Sequence, residues 1–139
     1  MAEHNIRANG LSHLTLDRRA VGGSAGEALN LGNTLVKTVT LDDACREHRI
    51  AEVRALKVDV DGGDLDVLVG ARQLLGEHRP LVVVEMHDKQ QGIYDLLQET
   101  GYRYLVGMRG ERVSPGAWPP NMFASMEEVR IPPRGALSA

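Results

Sequence analysis

Cysteine is almost missing from this chain. Cys45 stands alone among 139 residues, which excludes an internal disulfide and makes a reducing cytoplasm the expected setting. Aromatics are scarce too, limited to Tyr94, Tyr102, Tyr104, Trp118 and Phe123. There is no excess of positive charge. The net charge is -3, so no electrostatic case exists for nucleic acid or an anionic membrane as a partner. No apolar run reaches transmembrane length, and Met1 to Arg7 is too polar for a signal-peptide core. No G-x-G-x-x-G or Walker pattern occurs, and the pair Gly22-Gly23 is too short for a phosphate loop. Internal repeats and low-complexity segments are absent as well.

What is present fits one globular domain. A chain of this length buries roughly two thirds of its unfolded surface. Hydrophobic residues make up 42% and charged residues 25%, the ordinary balance of a soluble protein. Residues 3–10 read as the end of a helix stopped at Asn9-Gly10. His13 to Val21 alternates like a strand, residues 22–33 read as a loop, and Thr34 to Thr40 is a β-prone run. Thr40 is placed to cap a helix reaching about His48, with Asp42 and Asp43 in its first turn. Residues 53–60 predict a strand. Asp64 to Glu77 predicts one helix, from the stripe Leu65, Leu68, Val69, Leu74 and Leu75. Leu81 to Val84 is continuous enough for a strand buried on both faces. A helix over 91–100, a strand over 102–108, a loop over 109–120 and a strand over 121–125 complete the order. Alternating strands and helices over 53–108 predict an α/β fold with parallel strands. The Pro-, Gly- and Ala-rich end, 132–139, is expected to be a disordered tail.

The densest chemistry lies in Leu56-Lys57-Val58-Asp59-Val60-Asp61-Gly62-Gly63-Asp64. Strand alternation sets Lys57, Asp59 and Asp61 on one face and Leu56, Val58 and Val60 on the other. Packing alone explains such charges poorly, because an unpaired buried charge is strongly unfavourable. They gather where a strand meets a glycine turn, the place where open α/β sheets bind ligands. Two readings stay open. In one, Lys57 pairs with Asp59, and Asp64 caps the next helix. In the other, Asp59 and Asp61 hold a divalent cation in the loop beyond the strand. The D-x-D-G order is similar to the start of haloacid-dehalogenase-type phosphatases, which would make the chain a metal-dependent hydrolase. No later Gly-Asp pair completes that magnesium site, and an EF-hand fails because Asp64 stands where glycine is required.

Glu85 and His87 follow Val82-Val83-Val84 and share a face at the end of the next strand. Such a pair serves as general base and orienter, as metal ligands, or as a solvated strand end. Asp88 adds an acid without defined geometry. His4, His13, His48 and His78 show no metal-ligand spacing and are expected at the surface. Cys45 is expected to act as a small buried hydrophobe.

The order of further motifs adds a family. Thr40-Leu41-Asp42-Asp43 precedes Lys57-Val58-Asp59-Val60-Asp61-Gly62-Gly63-Asp64. Leu68-Val69-Gly70-Ala71, Arg79-Pro80, Val84-Glu85, Gly101-Tyr102 and Asn121-Met122-Phe123-Ala124 follow. In this order they resemble the FkbM-type methyltransferase family, and Asn5 to Val21 is similar to the family's lead into a strand ending in Ala-Val. Asp61 and Asp64 depart from it, since the family usually has glutamate there. The resemblance implies a Rossmann-like class I methyltransferase sheet that transfers a methyl group from S-adenosylmethionine to an acceptor hydroxyl. It implies Asp59, Glu85 and His87 as catalytic residues, with Lys57, Asp61, Gly62 and Asp64 as the substrate or site wall. The acceptor would be a small molecule or a glycan.

The family's first strand, glycine-rich cofactor turn and acidic second strand would precede Asn5. The resemblance therefore implies a single partial domain over 1–139, with an incomplete sheet and unassigned cofactor-binding residues. In the family's sheet the first and second strands separate the third from the fourth. The His13–Val21 strand then loses its neighbour, and the Lys57–Asp61 strand becomes an edge. Such an edge invites self-association or a complementing chain. A non-catalytic remnant that pairs through this edge is the alternative from a different class.

Overall fold

The computed structural model describes residues 2–128, and the tail expected over 132–139 lies outside them. Helix α1 (Ala2–Ala8) is followed by Gly10, whose φ of +63° suits the stop. Strands β1 (Ala20–Val21), β2 (Ala28–Leu31) and β3 (Thr34–Val39) form a small sheet in the order β1-β3-β2. Helix α2 (Leu41–Glu47) begins at Thr40, whose side chain accepts from Asp43 N at 3.0 Å. Then come β4 (Ala55–Val58), α3 (Asp64–Val69), α4 (Arg72–Glu77), β5 (Leu81–Glu85), α5 (Gln90–Glu99), β6 (Tyr104–Gly107) and β7 (Asn121–Ser125). The second sheet runs β4-β5-β7-β6. Strands β4 and β5 are parallel, and β7 lies antiparallel between β5 and β6. The result is an α/β fold with mixed, open sheets, consistent with an incomplete Rossmann-like arrangement.

Several local expectations change. Only Ala20–Val21 of the expected His13–Val21 strand pairs, in parallel with β3. Asp17 Oδ1 accepts from Arg19 N at 3.0 Å, a side-chain turn that diverts the backbone from a ladder. Leu14 and Leu16 stay 48% and 43% exposed, so little packing holds this stretch to a sheet. The expected 22–33 loop contains β2. Gly32-Asn33 closes a hairpin between Leu31 and Thr34, with Gly32 at φ +65°.

The single helix expected over 64–77 breaks at Gly70-Ala71. Gly70 O accepts from Asp42 N at 3.0 Å. The Asp42 carboxylate accepts from Gln73 N and Leu74 N at 3.0 and 2.8 Å. The start of α2 thus caps both the end of α3 and the beginning of α4. Gly70 also lies against Gly22 O, which a Cβ would approach to 2.3 Å. His78 is half-buried rather than at the surface, because its Nδ1 accepts from Val53 N at 3.0 Å.

The core sits on one side of the larger sheet. Val58, Val82, Val84, Leu105, Met122 and Ala124 pack with Val67, Leu68, Leu74, Leu75, Ile93, Leu96 and Leu97 of the helices. Register places Lys57, Val83, Phe123 and Val106 in one row on the other side, and none of the four is buried. Strand β5 is therefore buried on one face, not on the two that its apolar run predicts. Among the described residues strand β4 pairs on one side only and forms the sheet edge. No helix among the described residues is long and apolar enough to cross a membrane.

Candidate functional site

Parallel pairing of Val58 with Val84 brings the carboxyl ends of β4 and β5 side by side. Beyond β4 the chain turns through Asp59 to Gly63 into α3. Beyond β5 it passes Met86 to Lys89 into α5. Gly62 takes φ +76°, and Asp88 Oδ2 would lie 3.7 Å from a Cβ built there. Lys89 Nζ donates to Asp66 Oδ2 at 3.3 Å, which ties the residue before α5 to the first turn of α3. The juxtaposition gathers Lys57, Asp59, Asp64, Glu85 and His87, drawn from two separate motifs.

Lys57 Nζ donates to Asp59 Oδ2. This bond, followed by one with Glu85, holds Asp59 below the usual carboxylate range. Glu85 is held above its usual range, first by the hydrogen bond with Asp59 and then by burial. Two adjacent carboxyls resist ionising together, so the two are displaced in opposite directions. Lys57 decides which of them ionises first, and it is Asp59.

His87 lies between two carboxylates. Its Nε2 is 3.7 Å from Glu85 Oε1, and its Nδ1 is 3.6 Å from Asp64 Oδ2. Asp64 is fully buried. It does not occupy the helix cap, which falls to Gly63. Instead Asp64 Oδ1 accepts from Val60 N at 3.1 Å and closes the turn. Asp61 and Gly62 are exposed on the same turn. Asp88, which has no defined geometry in the sequence, reaches the site by crossing Gly62. Val60 adds an apolar surface, 37% exposed. Neither contact has a local sequence signal, because each depends on which two turns meet. Among the described residues no group of three or more His, Cys, Asp or Glu side chains is arranged to hold a metal ion.

The arrangement is suited to taking a proton from a hydroxyl. The Glu85 and His87 side chains are 33% and 38% exposed, open enough to meet a ligand and close enough to act together. Holding S-adenosylmethionine asks for something else: free backbone amides at a glycine-rich turn and an acid for the ribose hydroxyls. The strand-to-helix turns among the described residues are otherwise engaged. One is capped by Thr40, one is closed by Asp64, and one carries His87 to Lys89. These residues do not fit the cofactor's cradle.

Parallel β4 and β5 with acids at their carboxyl ends define an open α/β domain, a class in which ligands bind at the strand ends. The model of the methyltransferase FkbM domain matches residues 2–104, and the chain belongs to that family. The crystal structure of methyltransferase FkbM from Methylobacillus flagellatus KT is similar in fold. It has a TM-score of 0.57 and 18% identity over 88% of this chain and 32% of that one. The chain thus spans about a third of the length of this solved relative. No curated protein matches the chain.

Proposed function

We propose that this chain carries the acceptor side of an S-adenosylmethionine-dependent methyltransferase that methylates a hydroxyl of a small molecule or glycan. One observation carries the reading: Asp59, Glu85 and His87 meet beyond the ends of β4 and β5 in a chain of this family. A hydroxyl held here hydrogen-bonds to His87 or Glu85, and one of these groups takes its proton as the oxygen becomes nucleophilic. Lys57 favours the ionised form of Asp59, and Asp59 beside it makes Glu85 the more basic of the two carboxyls. Fixing the hydroxyl in place removes much of the entropic part of the barrier.

Two titrations test the reading. Monosaccharides added as hydroxyl acceptors, followed by NMR, are expected to shift signals at 59–64 and 85–88. Shifts confined to other regions would sink the acceptor assignment. Calorimetry with S-adenosylhomocysteine is expected to show no binding in the micromolar range. Micromolar binding would place the cofactor cradle within this chain.

The open edge of β4 favours a second reading, an interaction module. An edge strand is a template for another strand, and here its occupant would be a second copy or a complementing chain.

A further inference from the structure

Asp64 is buried with only half of its carboxylate satisfied. Oδ1 accepts from Val60 N, while Oδ2 has no hydrogen-bond partner. An orphaned buried oxygen is costly, and native structures rarely keep one without a reason. The polar atom it faces is His87 Nδ1 at 3.6 Å, and the ring's other nitrogen faces Glu85. A shift of about 0.7 Å would bring Asp64 and His87 to ordinary hydrogen-bond distance. The exposed side of the imidazole leaves room for such a shift.

We propose that Asp64 is a positioning residue for His87. Its Oδ2 accepts from Nδ1–H, selects that tautomer, and leaves the Nε2 lone pair directed toward Glu85 and an incoming hydroxyl. The proposal rests on the reading of His87 as the acceptor's base. The buried carboxylate does not touch the substrate; it orients the group that does, as the aspartate does in a catalytic triad. A plain structural role would need only Oδ1, which holds Val60 N. Asp64→Asn separates the two roles. Asparagine keeps a carbonyl oxygen for Val60 N but offers an N–H where Oδ2 stood, and that N–H favours the opposite tautomer of His87.

Imidazole nitrogen NMR at about pH 8, above the ordinary histidine range, reads the tautomer directly. The His87 signals are assigned by their loss in His87→Gln. The wild-type chain is expected to show mainly Nδ1–H, and Asp64→Asn mainly Nε2–H. A wild-type His87 in the Nε2–H form would overturn the proposal. So would an unchanged tautomer in a folded Asp64→Asn chain. If that variant does not fold, the wild-type spectrum alone decides. The measurement needs neither cofactor nor acceptor. An Nδ1–H tautomer in a chain whose 59–64 and 85–88 signals ignore hydroxyl ligands would support the positioning and sink the functional reading.

Discussion

Asp17 accepts from Arg19 Nη2 at 2.7 Å and faces His48 Nε2 at 3.2 Å, and Arg19 reaches on to Glu47 at 2.6 Å. The cluster ties the entry to β1 against α2. Hydrogen bonds from Arg19, then from His48, hold the Asp17 carboxyl far below its usual range. A carboxyl depressed by folding adds stability above its unfolded pKa and loses it as pH falls toward the folded value. The urea midpoint of the wild-type chain should therefore drop between about pH 5 and pH 2 more steeply than that of Asp17→Asn. Parallel profiles would show that the cluster contributes nothing to folding. At this scale the sequence is uneven. Lys57 lies in β4 and Asp59 just past its end, so their pairing follows from a spacing of two residues, although β4 stops at Val58, short of the strand expected to carry Asp59 and Asp61. Asp17 with His48, and Asp64 with His87, are distant in sequence, and no local period announces them.

At the scale of elements, the break between α3 and α4 shows why periodicity misleads. The stripe from Leu65 to Leu75 stays apolar through Gly70-Ala71, and the interruption comes from outside the segment. Asp42 supplies the N-terminal acceptors of α4 that Ala71, its own cap residue, lacks. Asp42→Ala should destabilise the fold by about 1–2 kcal/mol, the range of a lost helix cap. Urea unfolding with an unchanged slope would measure this directly, and an unshifted midpoint would mean that water replaces the cap. The missed hairpin is a different case. Gly32-Asn33 before a β-prone run is a legible turn signal, but Ala28–Leu31 has no β-branched or aromatic residue and follows a glycine- and serine-rich stretch, which conceals β2.

At the scale of the whole molecule, the larger sheet has, among the described residues, one helical layer and one face left partly exposed. Alternation along β5 and β7 buries Val82, Val84, Met122 and Ala124 and leaves Val83 and Phe123 half-exposed. The edge of β4 lies beside the candidate site, so pairing there would place a new strand next to Lys57 and Asp59. Sedimentation velocity should show association that grows with concentration, or heterologous pairing with a chain that completes the sheet. A strictly monomeric chain at high micromolar concentration, indifferent to such a partner, would remove the edge from the account.

Local spacing was enough to determine the alternation of strands and helices from Thr34 onward, apart from the split at Gly70-Ala71, together with the Thr40 cap and the clustering of charged residues around the ends of β4 and β5. Each of these depends on residues a few positions apart, where the helical and strand periods act. Only the tertiary structure decided that the two strand ends meet, that Asp42 splits a helix, and that one sheet face is covered. It also decided that Asp64 faces inward toward His87. These outcomes depend on backbone groups and side chains that approach from distant segments. Their partners are selected by the packing of the core and the pairing of the sheet, and no period along the chain encodes them.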